Sequence, residues 1–103
     1  MLPIRLRPEA LDELAEAWRW YEAQREGLGD EFRACVDVAM AEIARDPLVW
    51  PTVRGEVRRR MTRRFPYATL YLAEPEHIEV LAVFHSSRNP HSSRNPREWK
   101  SRV

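Results

Sequence analysis

The sequence predicts an α+β domain in which an N-terminal helical hairpin packs on one face of a mostly antiparallel sheet, in the order β-α-α-β-β-β. Two observations predict this class. Apolar residues in the first half recur at spacings of three and four, as on one face of a helix, whereas from Val57 onward they recur at a spacing of two. Helices and strands are thus segregated along the chain, which is typical of α+β folds. Because 103 residues suffice for one modest core, we expect residues 1–103 to form a single domain.

The first two predicted elements are a short strand and a helix. Leu2, Ile4 and Leu6 alternate with other residues, and Pro3, which has no amide hydrogen, places this strand at a sheet edge. Pro8 suits the first turn of the helix that follows. The predicted buried stripe of this helix consists of apolar residues three or four apart: Leu11, Leu14, Trp18 and Tyr21.

A glycine-containing segment separates the first helix from the second. Residues 24–30 hold two of the three glycines of the chain, and Asp30 is a suitable capping residue for the second helix. The second helix has a regular apolar stripe formed by Phe32, Cys35, Val36, Ala39, Met40 and Ile43. Pro47 ends this helix, and residues 46–55 are predicted to form a loop.

Three strands are predicted in the second half. Two of them, on either side of Pro66, show alternating apolar and polar residues. The third, residues 78–84, is almost continuously apolar, as expected of a strand that is buried on both faces in the middle of a sheet. This strand ends at His85.

Composition argues against a membrane protein, a secreted protein and a disulfide-bonded protein, and it leaves open a protein that binds an anionic partner. The chain has no long apolar segment and no secretory signal pattern, so we expect a soluble cytoplasmic protein with no membrane contact. Its only cysteine, Cys35, forms no internal disulfide and falls on the core stripe of the second helix. Residues 1–46 carry a net charge of −5 and residues 47–103 a net charge of +6. This asymmetry indicates either an anionic partner for the second half or a solvated basic face.

The basic charge is concentrated in residues 54–64, where six of eleven residues are arginine. Alternation places Arg58, Arg60 and Arg64 on one sheet face with Tyr71, so guanidinium groups and an aromatic ring would share an anion-binding surface. The alternative is a face whose arginines pair with acids of the helices or of a partner protein. Arg59 and Arg63 fall on the apolar side of the alternation, where we expect a bulge or ion pairs between elements.

His85 is the second candidate for chemistry. A histidine at a strand end, near Arg88 and Arg64, is placed to act as a general acid or base, or it is a loop residue with no such role. His77, His85 and His91 have none of the usual ligand spacings, so we expect no metal site. No glycine-rich phosphate loop or nucleophile motif is present, and we expect no cofactor.

Several segments resemble the RelE/ParE superfamily of toxins from bacterial type II toxin–antitoxin modules, closest to the ParE-like, plasmid-stabilisation branch. The resemblance covers nearly the whole chain and rests on the order of four segments: residues 21–24 (YEAQ), 27–32 (GLGDEF), 57–67 (VRRRMTRRFPY) and 80–90 (VLAVFHSSRNP). It implies a growth-arresting toxin that forms a hetero-oligomer with a cognate antitoxin protein and meets operator DNA only through that antitoxin.

The resemblance implies one of two activities. In the ParE branch the toxin inhibits DNA gyrase without chemistry, and it would bind its target or its antitoxin through Arg58, Arg60, Arg64, Tyr71, His85 and Arg88. In the RelE branch the toxin cleaves messenger RNA on the ribosome, and here Glu56, Arg64 and His85 would be the catalytic residues. The chain departs from the RelE pattern because its only lysine is Lys100 and no tyrosine follows Tyr71. We therefore expect gyrase inhibition, with RNA cleavage as the alternative.

The hexamer HSSRNP occurs twice in succession, at residues 85–90 and 91–96. Superfamily members typically leave the last long strand through a single segment of this type and finish with a tail that contains tryptophan. We therefore assign the superfamily position to His85 and Arg88, interpret residues 91–96 as a duplicated loop insertion, and assign residues 97–103, with Trp99, to a C-terminal tail.

Overall fold

The computed structural model describes residues 1–87 and confirms the α+β class. Arg88, the 91–96 insertion and the 97–103 tail lie outside the described residues. The elements, in chain order, are β1 (Ile4–Leu6), α1 (Pro8–Gln24), α2 (Leu28–Arg45), β2 (Thr52–Arg54), β3 (Val57–Met61), β4 (Tyr67–Ala73) and β5 (Ile78–His85). One short strand, β2, lies in the stretch that was predicted to be loop.

The five strands form one sheet in the order β1-β5-β4-β3-β2. As the sequence predicts, β1 lies at an edge and β5 lies inside the sheet. β1 pairs in parallel with β5, and the other pairs are antiparallel. β2 has only three residues, and its single apolar residue, Val53, is too little to establish a spacing in the sequence. β2 forms because the chain reverses at Gly55, whose left-handed φ of 56° allows a turn that brings β2 beside β3.

α1 begins at Pro8, as predicted, and it buries two residues of the predicted stripe, Leu14 and Tyr21, while Trp18 is half-buried. The buried residues are Ala10, Leu14, Ala17 and Tyr21. Leu11 is 52% exposed, so its assignment to the core was wrong. Two alanines, Ala10 and Ala17, take the other buried positions of this helix.

The start of α2 is capped from α1. Gly27 is the N-cap residue, with φ of +88°. The prediction that Asp30 caps this helix was therefore wrong. Instead Glu22 of α1 accepts hydrogen bonds from the amides of Gly27 and Gly29, each at 2.9 Å. The Asp30 carboxylate accepts a bond from the indole of Trp18 at 3.0 Å. A carboxylate at the first turn of α2 is favoured by the free amides and the helix dipole there.

Both faces of the sheet carry buried apolar residues. On the helix side, α1 and α2 pack on the sheet through an aromatic group of Tyr21, Phe32, Phe65 and Tyr67, whose ring centroids lie 4.9 to 6.0 Å apart. The stripe predicted for α2 is buried except for Cys35, which is half-buried. The opposite face has its own buried cluster, which consists of Val57, Ala68, Leu70, Leu81, Ala82 and Phe84.

A side chain of α1 accepts a backbone hydrogen bond from β5, close to a shift in the strand register. The pairing of β4 with β5 shifts by one residue between Leu70 and Tyr71, since Leu70 lies opposite Ala82 and Tyr71 lies opposite Val80. The amide of Val83 donates a 3.0 Å hydrogen bond to the carboxylate of Glu13. A charged acceptor thus satisfies a backbone donor in the interior of the sheet, where leaving it unpaired would be costly.

Candidate functional site

The strand register places Arg58 directly opposite Tyr71 and Arg60 directly opposite Thr69. Residues paired across an antiparallel sheet project to the same face, so Arg58, Arg60 and Tyr71 share one face, as alternation predicts. That face is the one covered by α2 and the loop after it. The predicted open surface of guanidinium groups and an aromatic ring is therefore not formed by these three residues.

Arg60 is held by Glu42 of α2. Its Nε and Nη2 donate to Glu42 Oε1 at 3.1 and 2.8 Å, and its guanidinium carbon lies 4.0 Å from the centre of the Trp50 ring. The Arg60 side chain is 17% exposed. The hydrogen bond from Arg60 holds the pKa of Glu42 below its ordinary value. Arg60 therefore ties β3 to α2 and presents little surface to a partner.

Arg58 and Tyr71 bind the chain between α2 and β2. Arg58 donates to the carbonyl oxygens of Leu48 at 3.1 Å and of Trp50 at 2.6 Å. Tyr71 is completely buried, and its hydroxyl donates to the carbonyl oxygen of Pro47 at 2.6 Å. Burial raises the pKa of the Tyr71 phenol to about 12. Tyr71 is thus a core residue that anchors this loop, and it is not part of the open surface that the sequence predicts.

Arg64 lies in the turn between β3 and β4 and is exposed. Its φ of 70° is unusual for a residue with a side chain, and such strained residues often lie at functional sites. Its side chain is 59% exposed, and its guanidinium lies 2.9 Å from Glu31 of α2 and 5.1 Å from the centre of the Phe65 ring. Hydrogen bonds from Arg64 and then Arg25 hold the pKa of Glu31 below its ordinary value.

The two arginines on the other side of the alternation behave differently. Arg63 is 71% exposed and donates to Glu42 at 3.1 Å, which is the kind of ion pair between elements that the sequence predicts. Arg59 is exposed, and by its position in β3 it shares the helix-free face with Val57 and Met61.

His85 ends β5 at the same end of the sheet as Arg64. It pairs with Tyr67, whose ring centroid lies 5.3 Å from the imidazole, and the carbonyl of Tyr67 accepts the amide hydrogen of Thr62 at 2.8 Å. The amide of Ser87 donates to Nδ1 of His85 at 3.3 Å. These contacts leave His85 half-buried at a surface that it shares with the β3–β4 turn.

Glu56 lies at the opposite end of the sheet. It occupies the turn between β2 and β3, six positions before Thr62, which is level with His85. A strand rises about 3.3 Å per residue, so Glu56 and His85 are separated by roughly 20 Å along the sheet. The structure brings Arg64 and His85 to one end and does not bring Glu56 to them.

No group of histidine, cysteine and acidic side chains suited to a metal ion occurs within residues 1–87. Over the same residues, no helix is long and apolar enough to cross a membrane.

Comparison with known proteins identifies the family. The family model described as the ParE toxin of the type II toxin–antitoxin system parDE matches residues 4–90. The chain belongs to this family. The ParE-like branch of the sequence resemblance is thereby confirmed.

A solved structure shares the fold. It is the chromosomal ParDE toxin–antitoxin system from P. aeruginosa, which aligns with a TM-score of 0.61 at 14% identity over 82% of this chain and 96% of that one. At this identity the likeness shows the fold alone. No curated protein matches the sequence.

The sequence analysis of this ParE-family chain did not identify two acidic residues that pair with the arginines of the site. Glu31 and Glu42 each contact two arginines and connect α2 to the β3–β4 region. A signal for them exists in the sequence, because a spacing of eleven residues is about three helical turns and places both carboxylates on one face of α2. Acids placed so regularly beside an arginine-rich strand indicate pairing between the two elements.

Proposed function

We propose that this chain arrests growth by inhibiting DNA gyrase and is neutralised by a cognate antitoxin. Membership of the ParE toxin family supports the class of activity. The neighbour of known structure is a ParDE toxin–antitoxin system, and this supports an antitoxin as the protein partner. In this proposal the chain acts by binding and performs no chemistry of its own.

The separation of Glu56 from His85 is the observation that favours gyrase inhibition over RNA cleavage. Attack by a ribose 2′-hydroxyl on the adjacent phosphate requires a base, an acid and cationic groups within a few ångströms of the reacting atoms. Glu56 lies at the other end of β3 from His85 and Arg64. The three residues therefore do not form one acid–base site.

Arg64 and His85 remain the best candidates for contact with the target. Both lie where the β3–β4 turn meets the end of β5, and the Arg64 side chain is more than half exposed. Arg60 and Tyr71 are engaged in packing, so we assign them to support of this region and not to direct contact. Arg88 stays a prediction outside the described residues.

The test is to add the purified chain to gyrase and relaxed plasmid DNA and to measure supercoiling, and to add it separately to translating ribosomes and sequence the messages. We expect loss of supercoiling with intact messages. The variant His85→Ala, with His91 also replaced, is the discriminating control. A general acid or base contributes about 10²- to 10⁴-fold in rate, whereas truncation of most interface residues costs less than about 1 kcal/mol of binding free energy, so this variant would lose RNA cleavage and would weaken gyrase inhibition by a much smaller factor. Codon-linked cleavage that disappears in this variant would overturn the proposal.

A further inference from the structure

The sheet buries apolar residues on its helix-free face, the side opposite α1 and α2. Strand register places six buried side chains of β3, β4 and β5 on this side. We call them the back-face cluster, which consists of Val57, Ala68, Leu70, Leu81, Ala82 and Phe84. Each is at most 8% exposed, so the centre of this face is closed to solvent.

No helix or strand of residues 1–87 covers this cluster. α1 packs on β5 and α2 on β3, and both do so from the other side of the sheet. The turns of the described residues lie at the ends of the strands, whereas Leu70 and Ala82 pair in the middle of β4 and β5. An uncovered antiparallel face is solvated, yet Ala82 is 0% exposed. Burial of this degree requires further chain over the cluster.

Burial on this face is greatest over β4 and β5. Ala68 of β4 and Leu81 of β5 are 0% exposed, whereas on β3 Met61 is half-buried and Arg59 is exposed. The cover therefore lies over β4 and β5 and leaves part of β3 open.

The chain continues from a point beside the cluster. β5 ends at His85, and Phe84 of the cluster lies three positions before Ser87, the last described residue. At a rise of about 3.3 Å per residue, Ala82 lies roughly 16 Å back along β5 from Ser87. An extended segment spans up to about 3.3 to 3.6 Å per residue, so residues 88–103 are long enough to return over the cluster.

The composition of residues 88–103 indicates which side chain packs there. Trp99 is the only large apolar residue among them, and all the others except one valine are polar, charged or proline. On the sheet, Ala68 lies opposite Phe84 and Ala82 lies opposite Leu70, so small and large residues alternate. This alternation leaves low positions between large side chains, and a bulky ring fits them because packed layers interdigitate.

We propose that residues 88–103 fold back over the helix-free face and that Trp99 packs on the back-face cluster between Ala68 and Ala82. A tryptophan buries about 150 to 250 Å² of surface, which closes the cluster to solvent. Residues 88–98 hold no large apolar side chain, so they form the connection from β5 to Trp99. The helix-free face is then part of the core of the protein and is closed to a target. This inference is independent of the proposed function, since it concerns the packing of the chain on itself.

The test measures thiol labelling at the cluster. Ala82→Cys adds one sulfur atom at its centre, and Ala68→Cys is the second site if the first variant does not fold. The native Cys35 of α2, which is half-buried on the other side of the sheet, is the internal control. Labelling of both thiols by a maleimide is followed by mass spectrometry, first with Trp99 present and then with Trp99→Phe or Trp99→Ala.

We expect slow labelling at position 82 with the native tryptophan or with Trp99→Phe, which keeps a ring. With Trp99→Ala we expect labelling at least about tenfold faster at this position and an unchanged rate at Cys35, because loss of a buried ring leaves a large cavity. Equal acceleration at both thiols would show that Trp99 supports the fold from elsewhere, and an unchanged rate at position 82 would show that other groups cover the cluster. Either result overturns the proposal. A labelling rate at position 82 that falls as the protein concentration rises would assign the cover to a second copy of the chain and would overturn it as well.

Discussion

Replacement of Tyr71 by phenylalanine separates a packing role from a binding role for this residue. The substitution keeps the buried ring and removes only the hydroxyl that donates to Pro47 at 2.6 Å. A typical internal hydrogen bond contributes about 0.5 to 1.5 kcal/mol, so we expect the free energy of unfolding to fall by about 1 kcal/mol near neutral pH. Binding to any partner should be unchanged once the loss of stability is taken into account, because the ring is completely buried.

The effect of this substitution should reverse at high pH. The pKa of the Tyr71 phenol rises from 10.0 in the unfolded chain to about 12 in the folded protein. Between these values the unfolded chain loses the proton first, so the stability of the parent protein falls as the pH rises from 10 to 12. At 1.36 kcal/mol per pKa unit, this loss is about 1.4 kcal/mol at pH 11. The phenylalanine variant has no such loss, and the two proteins should be equally stable close to pH 11.

The measurement is urea unfolding of both proteins, followed by tryptophan fluorescence at several pH values from about 8 to 11.5. All other tyrosines are present in both proteins, so their titration cancels in the difference. Two stability curves that stay parallel across this range would refute the assignment of Tyr71 as a buried, hydrogen-bonded phenol. A selective loss of partner binding at neutral pH would instead support the surface role that the sequence suggested.

Two further substitutions test the α hairpin and its connection to the sheet. Gly29→Ala places a Cβ 2.8 Å from the backbone oxygen of Trp18, so we expect a loss of about 1 to 2 kcal/mol in urea unfolding even though alanine is the better helix former. A gain in stability would show that the two helices can separate freely. Glu42→Gln removes the carboxylate whose pKa Arg60 lowers in the folded protein. In the parent protein the ion pair with Arg60 stabilises the fold at pH values above the pKa that Glu42 has in the unfolded chain. This stabilisation is lost as the pH falls through the lower pKa of the folded protein. Between pH 5 and 3 the variant should therefore lose less stability than the parent, and identical acid unfolding curves would contradict the pairing.

The predictable part of this fold is the part in which hydrophobic period and burial coincide. The α2 stripe and the continuous apolar run of β5 are strong signals because each buries large side chains at regular spacing. Leu11 was misassigned because two apolar stripes of α1 have helical spacing, and the one that is buried contains Ala10 and Ala17. Alanines are small and only weakly apolar, so they are a weaker signal in the sequence than a leucine. β2 was missed because its formation depends on the turn at Gly55 and on pairing with β3, which are not properties of residues 52–54 alone.

The candidate site was less predictable than the fold. Alternation correctly placed Arg58 and Arg60 on one face with Tyr71, but it carries no information on which face the helices cover. That choice decides whether an arginine is open to a partner or paired with Glu42. Likewise, the order of Glu56, Arg64 and His85 in the sequence gives no measure of their separation, which follows from the direction in which β3 and β5 run.

The parallel pairing of β1 with β5 has a consequence for the synthesis of the chain. Ile4 lies beside Ile78 and Leu6 beside Val80, so β1 cannot pair with its neighbour in the sheet until β5 has been synthesised. At about 5 to 20 residues per second, the ribosome needs roughly 4 to 15 seconds to extend the chain from one strand to the other. During that time α1 and α2 lack the complete sheet on which their apolar faces are buried, and the hydrogen bond from the Val83 amide to Glu13 cannot form. We expect the native fold to appear only after β5 has been synthesised, and any product that ends before β5 to remain unfolded and open to proteolysis.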